Sequence, residues 1–101
     1  MTQIHEWKGA TGRRYCFHVH ALPLRKPFTQ PGVYLFCRQV PQGWEPVDIG
    51  QADSLAEAYA ATPVRLAAEA ACATHLHVHI RLAGFEARVE EETDLRGALF
   101  P

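Results

Sequence analysis

The sequence predicts an α+β domain in which a mostly antiparallel sheet is flanked by helices. Three observations point there. The segments Tyr15–Leu22, Gly32–Val40 and Thr74–Leu82 carry the residues of strands. Pro41-Gln42-Gly43 joins two of the predicted strands too tightly for a parallel crossover, and residues 85–99 carry an apolar pattern of helical period.

Taken in order, residues 1–13 are polar and hold a Gly-Ala-Thr-Gly turn at 9–12, so they read as an arm or edge element. Tyr15, Phe17, Val19 and Ala21 alternate along one side of the next strand. Pro23, Pro27 and Pro31 break the segment after that strand into a loop. Gly32–Val40 is β-branched and aromatic, and Trp44–Ile49 is its hairpin partner. Asp53 or Ser54 can cap a short helix over 55–60. Thr62 and Pro63 suit the N-cap and N1 positions of an alanine-rich helix to about Ala73. Thr74–Leu82 is the last strand, Gly84 ends it, and a helix over 85–99 closes the fold.

At 101 residues and 48% hydrophobic, the chain suffices for one small core, and no stretch approaches the roughly 20 apolar residues of a membrane span. The start, Met1 to Lys8, is polar and mixed, so no signal peptide is expected. Cys16, Cys37 and Cys72 are odd in number and widely spaced, which points to a reduced, cytoplasmic setting rather than a disulfide framework or zinc ribbon. A net charge of −1 exerts no global pull on polyanions. A nucleic-acid partner would need a local basic patch, for which Arg13, Arg14, Arg25, Lys26 and Arg38 are the candidates; the alternative is scattered solvated charge. No membrane partner is expected, and the oligomeric state is left open.

Gly32-Val33-Tyr34 is followed, sixteen residues after Gly32, by Asp48-Ile49-Gly50; later comes Glu92-Thr93-Asp94-Leu95, with Pro101 nine residues past the glutamate. Order and spacing resemble the GIY-YIG nuclease domain over residues 31–101. Residues 1–30 then form an N-terminal strand and proline-containing loop, packed with the rest as one domain. The resemblance implies that the two tripeptides lie on neighbouring strands, that Tyr34 stands near an attacking water as its base or orienting group, and that Glu92 holds Mg²⁺ or Mn²⁺. It also implies a second tyrosine, and an arginine that stabilises the phosphate. This chain departs from both. Asp48 stands where the family has tyrosine, and the arginine's place is held by Ala56, Glu57 and Ala58. The expectation is a degenerate domain with hydrolysis lost or much reduced, binding nucleic acid or protein in the cytoplasm. The first alternative is an active metal-dependent DNA or RNA phosphodiesterase working through Tyr34 and Glu92. Arg65, Arg38 or Arg88 could supply its cation, though no spacing singles one out.

On the last helix, Phe85, Val89, Leu95 and Leu99 fall on one arc that also contains Glu92, while Glu90, Glu91 and Asp94 point away. A carboxylate within a core-facing arc must be paired, hydrogen-bonded or bound to a cation. Glu92 is therefore either a metal ligand or the centre of an Arg88–Glu92–Arg96 ladder. Asp48 is either a surface strand-end residue or a second metal carboxylate. Five histidines alternate on two strands, His18 and His20 on one, His75, His77 and His79 on the other. If the strands pair, the imidazoles are expected to cluster. His75, His77 and His79 could ligate Zn²⁺ or Ni²⁺, giving a metal-binding or oligomerisation module, or form a polar sheet face covered by a helix or partner.

Overall fold

The computed structural model describes residues 3–24 and 29–101. Arg25 and Lys26, two of the basic-patch candidates, and Pro27 lie outside them. Among the described residues the strands β1 (Gln3–Lys8), β2 (Arg14–Ala21), β3 (Gly32–Val40), β4 (Gly43–Ala52) and β5 (His75–Ile80) form one sheet in the order β1-β2-β5-β3-β4. Every pairing is antiparallel. The helices are α1 (Leu55–Ala60), α2 (Thr62–Ala70) and α3 (Phe85–Leu99). The fold is α+β, with the predicted hairpin of β3 and β4, β5 beside β3, and α3 packed on the same sheet.

Local chemistry accounts for the boundaries. Ser54 caps α1, its side chain accepting from the amide of Glu57 at 3.4 Å. The N-cap of α2 is Ala61, one residue before the Thr62 expected from sequence, and α2 ends at Ala70, short of the Ala73 expected. Cys72, at φ +58°, then turns the chain into β5.

Each face of the sheet carries its own core. On one, Trp7, Tyr15, Phe17, Val33, Leu35, Cys37 and Ile49 meet Leu95 of α3, with Trp44, Leu99 and Phe100 at the margin. On the other, Phe36, Leu76 and Val78 meet Leu55 of α1 and Ala68 of α2, with Tyr34, Val47 and Tyr59 beside them.

A β-bulge decides which face β4 serves. Phe36 pairs with Asp48 but Cys37 pairs with Pro46, leaving Val47 unmatched. Before the bulge, Trp44 shares a face with the β3 residues of the α3 core. After it, Ile49 has joined that core, while Asp48 and Gly50 lie beside Phe36 and Tyr34. Plain alternation would have put Trp44 and Asp48 on one face.

The register also corrects the expected histidine cluster. β2 and β5 do pair, but His18 lies opposite Val78 and Val19 opposite His77. Residues directly opposite share a face, so His18 and His20 lie on one side of the sheet and His75, His77 and His79 on the other.

Candidate functional site

α3 fixes the chemistry at the open edge of the sheet, and its orientation differs from the expected one. Its buried residues are Arg88, Glu91 and Leu95, at i, i+3 and i+7, whereas Phe85 is 60% exposed. The buried stripe is rotated by about 60° from the apolar arc, toward Glu91. The cause is that two charged residues, Arg88 held by hydrogen bonds and Glu91 by ion pairs, take the place of apolar ones. Arg88 Nε donates to Gln51 Oε1 (3.0 Å) and Nη1 to the carbonyl of Ala83 (2.9 Å), while Nη2 pairs with Asp53. These bonds pin the start of α3 to the end of β4. They also remove Arg88 from the expected ladder, of which only the Arg96–Glu92 contact, at 3.6 Å, is present.

Glu91, expected to point away, is 2% exposed. Arg81 Nε lies 2.9 Å from its Oε1, His79 Nε2 3.6 Å from its Oε2, and Arg13 Nη2 3.7 Å from Oε1. Neither oxygen accepts an aligned hydrogen bond among the described residues, so the attraction is Coulombic. Beside it, Asp94 ties the β1–β2 turn to α3. Its carboxylate accepts from the Thr11 amide (2.9 Å), the Thr11 hydroxyl (2.9 Å) and the Tyr15 hydroxyl (2.7 Å). Burial, then the bond to Asp94, pushes the Tyr15 phenol up to about 12, and the hydrogen bonds from Tyr15 and Thr11 hold Asp94 below the usual carboxylate range.

The second face of α3 turns to β4, the edge strand, so that Glu92 and Arg96 stand at the same strand edge as Tyr34 and Asp48, whose side chains lie on the opposite face of the sheet. Tyr34 lies opposite Gly50, and its ring occupies the space above that glycine so closely that a Cβ there would overlap the phenol. Asp48 is two residues away on the same face. Its Oδ1 accepts from the Ile49 amide at 2.9 Å, and Arg96 Nη2 donates to the Ile49 carbonyl at 3.0 Å. Both polar groups of that peptide residue are thereby satisfied on a strand whose other side alone is paired. Asp48, Glu92 and Arg96 are all near enough to act on the Tyr34 hydroxyl. Burial first, then the charges of Asp48 and Glu92, raise its pKa, against a smaller lowering by Arg96.

The other candidates lie elsewhere. Arg38 pairs with Glu45 at the far end of the β3–β4 hairpin. Arg65 lines a cleft of about 230 Å³ with Leu22, Phe36, Tyr59 and Glu69. Glu57 is exposed on α1, and Ala56 and Ala58 are half-buried there. Arg13 is with Glu91, and Arg14 pairs with Glu6 on the opposite edge strand. Arg96 carried no separate signal in the sequence. Its role depends on the rotation of α3, which apolar periodicity misjudged.

His75, His77 and His79 each have a different environment. His75 shares a hydrogen bond with the Thr74 hydroxyl (2.9 Å) and stands edge-on to Trp44. His79 Nδ1 donates to the Cys16 carbonyl (3.0 Å) and its Nε2 faces Glu91. His77 is fully buried, and its Nδ1 accepts from Trp7 Nε1 at 2.9 Å, which leaves the neutral ring's proton on Nε2 beside Trp44. Burial, followed by the neighbouring imidazoles of His5, His75 and His20, holds its pKa down to about 4. Among the described residues no three His, Cys, Asp or Glu side chains form a group suited to a metal ion, and no helix is long and apolar enough to cross a membrane. Comparison with protein-family models, curated proteins and solved structures finds no match for this chain.

Proposed function

We propose that the chain is a GIY-YIG-like domain that binds phosphodiesters at the open edge of β4 and hydrolyses them weakly or not at all. The observation that carries this reading is that Tyr34, over Gly50, and Asp48 line one face of the β4 edge while Glu92 and Arg96 of α3 reach the same edge from the other, where both carboxylates act electrostatically on the phenol. A water attacking phosphorus must lose a proton, and Tyr34 is poorly suited to take it, because burial and two carboxylates favour its protonated form. The phenol is instead a hydrogen-bond donor, able to orient a phosphate oxygen or a water.

The donor set fits Mg²⁺ or Mn²⁺ poorly. Glu92 is faced by the Arg96 guanidinium at 3.6 Å, which already offsets its charge, and one Asp48 oxygen is committed to the Ile49 amide. The absence of a cation from Ala56, Glu57 and Ala58 acts in the same direction, since one lost charge-stabilising donor costs about 10²–10³ in rate.

One observation favours the active alternative: Arg96 places a guanidinium 3.6 Å from Glu92 and bonds it to the Ile49 carbonyl, next to the glycine that Tyr34 covers. A labelled DNA duplex incubated with the protein in Mn²⁺ and in Mg²⁺ separates the two. Binding with little or no product is expected. Robust cleavage abolished by both Tyr34→Phe and Glu92→Gln would overturn the proposal in favour of a working phosphodiesterase.

A further inference from the structure

We infer that Arg96 is the phosphate-contacting cation of the β4 edge, and that Glu92 competes with phosphate for it. This rests on the phosphodiester-binding reading and names the residue through which binding operates. A site for phosphodiesters requires at least one cation placed to meet an anionic oxygen. α1, which follows β4 directly, offers none: its second to fourth residues are Ala56, Glu57 and Ala58. Arg88, on the same helix as Arg96, is 3% exposed and all three of its guanidinium nitrogens are engaged.

Arg96 differs on each count. Its side chain is 49% exposed, and its hydrogen bond to Ile49 fixes the guanidinium next to Gly50, over which the Tyr34 phenol lies. Among the described residues no group accepts from its Nε or Nη1, so the planar fork keeps donors for an incoming phosphate while Nη2 holds it in position. The Glu92 contact, at 3.6 Å without hydrogen-bond alignment, is a partly exposed i,i+4 pair of the kind that contributes little to stability. A phosphate can displace such a carboxylate at small cost. Glu92 then acts as an intramolecular competitor that weakens non-selective attraction of anions.

The bland role, in which Arg96 only covers the strand edge, makes a different prediction for salt dependence. Each phosphate neutralised on B-DNA contributes about 0.9 to the slope of log K against log salt. Fluorescence anisotropy of a fluorescein-labelled mixed-sequence DNA duplex, over a series of salt concentrations, would compare wild type with three variants. Arg96→Gln should weaken binding about tenfold at low salt and make the slope shallower by about one phosphate's worth. Arg96→Lys should retain the slope, and Glu92→Gln, which leaves Arg96 in place, should tighten binding severalfold. Wild type that fails to bind the duplex would remove the phosphodiester reading itself. Wild type that binds with the same slope as Arg96→Gln, or Glu92→Gln that binds no better than wild type, would overturn the assignment of Arg96 while leaving that reading in place.

Discussion

Glu91 and Glu92 are neighbours in sequence, about 100° apart around α3, and the helix gives them opposite situations. Glu91 is enclosed by Arg81, His79 and Arg13 between α3, the end of β5 and the β1–β2 turn. Glu92 is a fifth exposed, at the rim of β4, with one loose contact among the described residues, to Arg96. The buried carboxylate is surrounded by charge it cannot leave, so its contribution is to hold elements together. The rim carboxylate can exchange partners at low cost, which suits the binding role proposed for that edge. The more enclosed position therefore belongs to the glutamate that joins elements of the fold.

Removing each carboxylate tests that contrast. Glu91→Ala should destabilise the fold by about 2–4 kcal/mol, because it strips the common partner from two guanidinium groups and leaves a void. The partial exposure of Arg13 and Arg81 keeps the loss below that of a fully enclosed pair. Urea unfolding of the variant measures it, and an unchanged midpoint would dissolve the distinction between the two sites.

His77 gives the next effect, on the same face of the sheet. Its pKa is near 4 in the fold against 6.5 for the free side chain. Between those values the unfolded chain binds more protons than the native one. Its stabilising contribution is thus fully present above pH 6.5, declines as the pH falls through the window, and is gone below about 4. The total is up to about 3 kcal/mol at 1.36 kcal/mol per unit. His5, His20 and His75, all lowered chiefly by burial, act in the same direction. Melting temperatures between pH 4 and 7 should fall toward acid in wild type and fall less in His77→Gln. Parallel curves for the two proteins would contradict the assignment.

The smallest change is expected at the rim. Glu92→Leu should alter stability by less than about 0.5 kcal/mol, since only a loose i,i+4 contact is lost and Arg88 has its own partners. A loss of several kcal/mol in the same unfolding assay would make Glu92 as structural as Glu91.

The strands were readable because alternation survives in Tyr15, Phe17 and Val19, and in Leu76 and Val78, all of which are buried. The β3–β4 turn was readable because Pro41-Gln42-Gly43 leaves room for nothing longer. Three features were not. The bulge at Val47 is marked only by the adjacent Pro46, which suits a regular edge strand equally well, yet it turns Asp48 toward the face of Tyr34 and Ile49 toward α3. The rotation of α3 was hidden because an apolar pattern cannot register an arginine and a glutamate buried with their partners. Tyr34, Asp48 and Glu92 stand out as candidates through the spacing that resembles GIY-YIG, whereas Arg96 depends on that rotation and is visible only as a possible ladder member.

The most direct measurement is amide and arginine side-chain chemical-shift mapping by NMR while a short DNA duplex is titrated in. The account predicts shifts centred on Tyr34, Ile49, Gly50, Glu92 and Arg96, with the resonances of Arg13, His79, Arg81 and Glu91 little changed. Shifts centred on the Glu91 cluster would place binding on the region assigned here to structure, and would contradict the account.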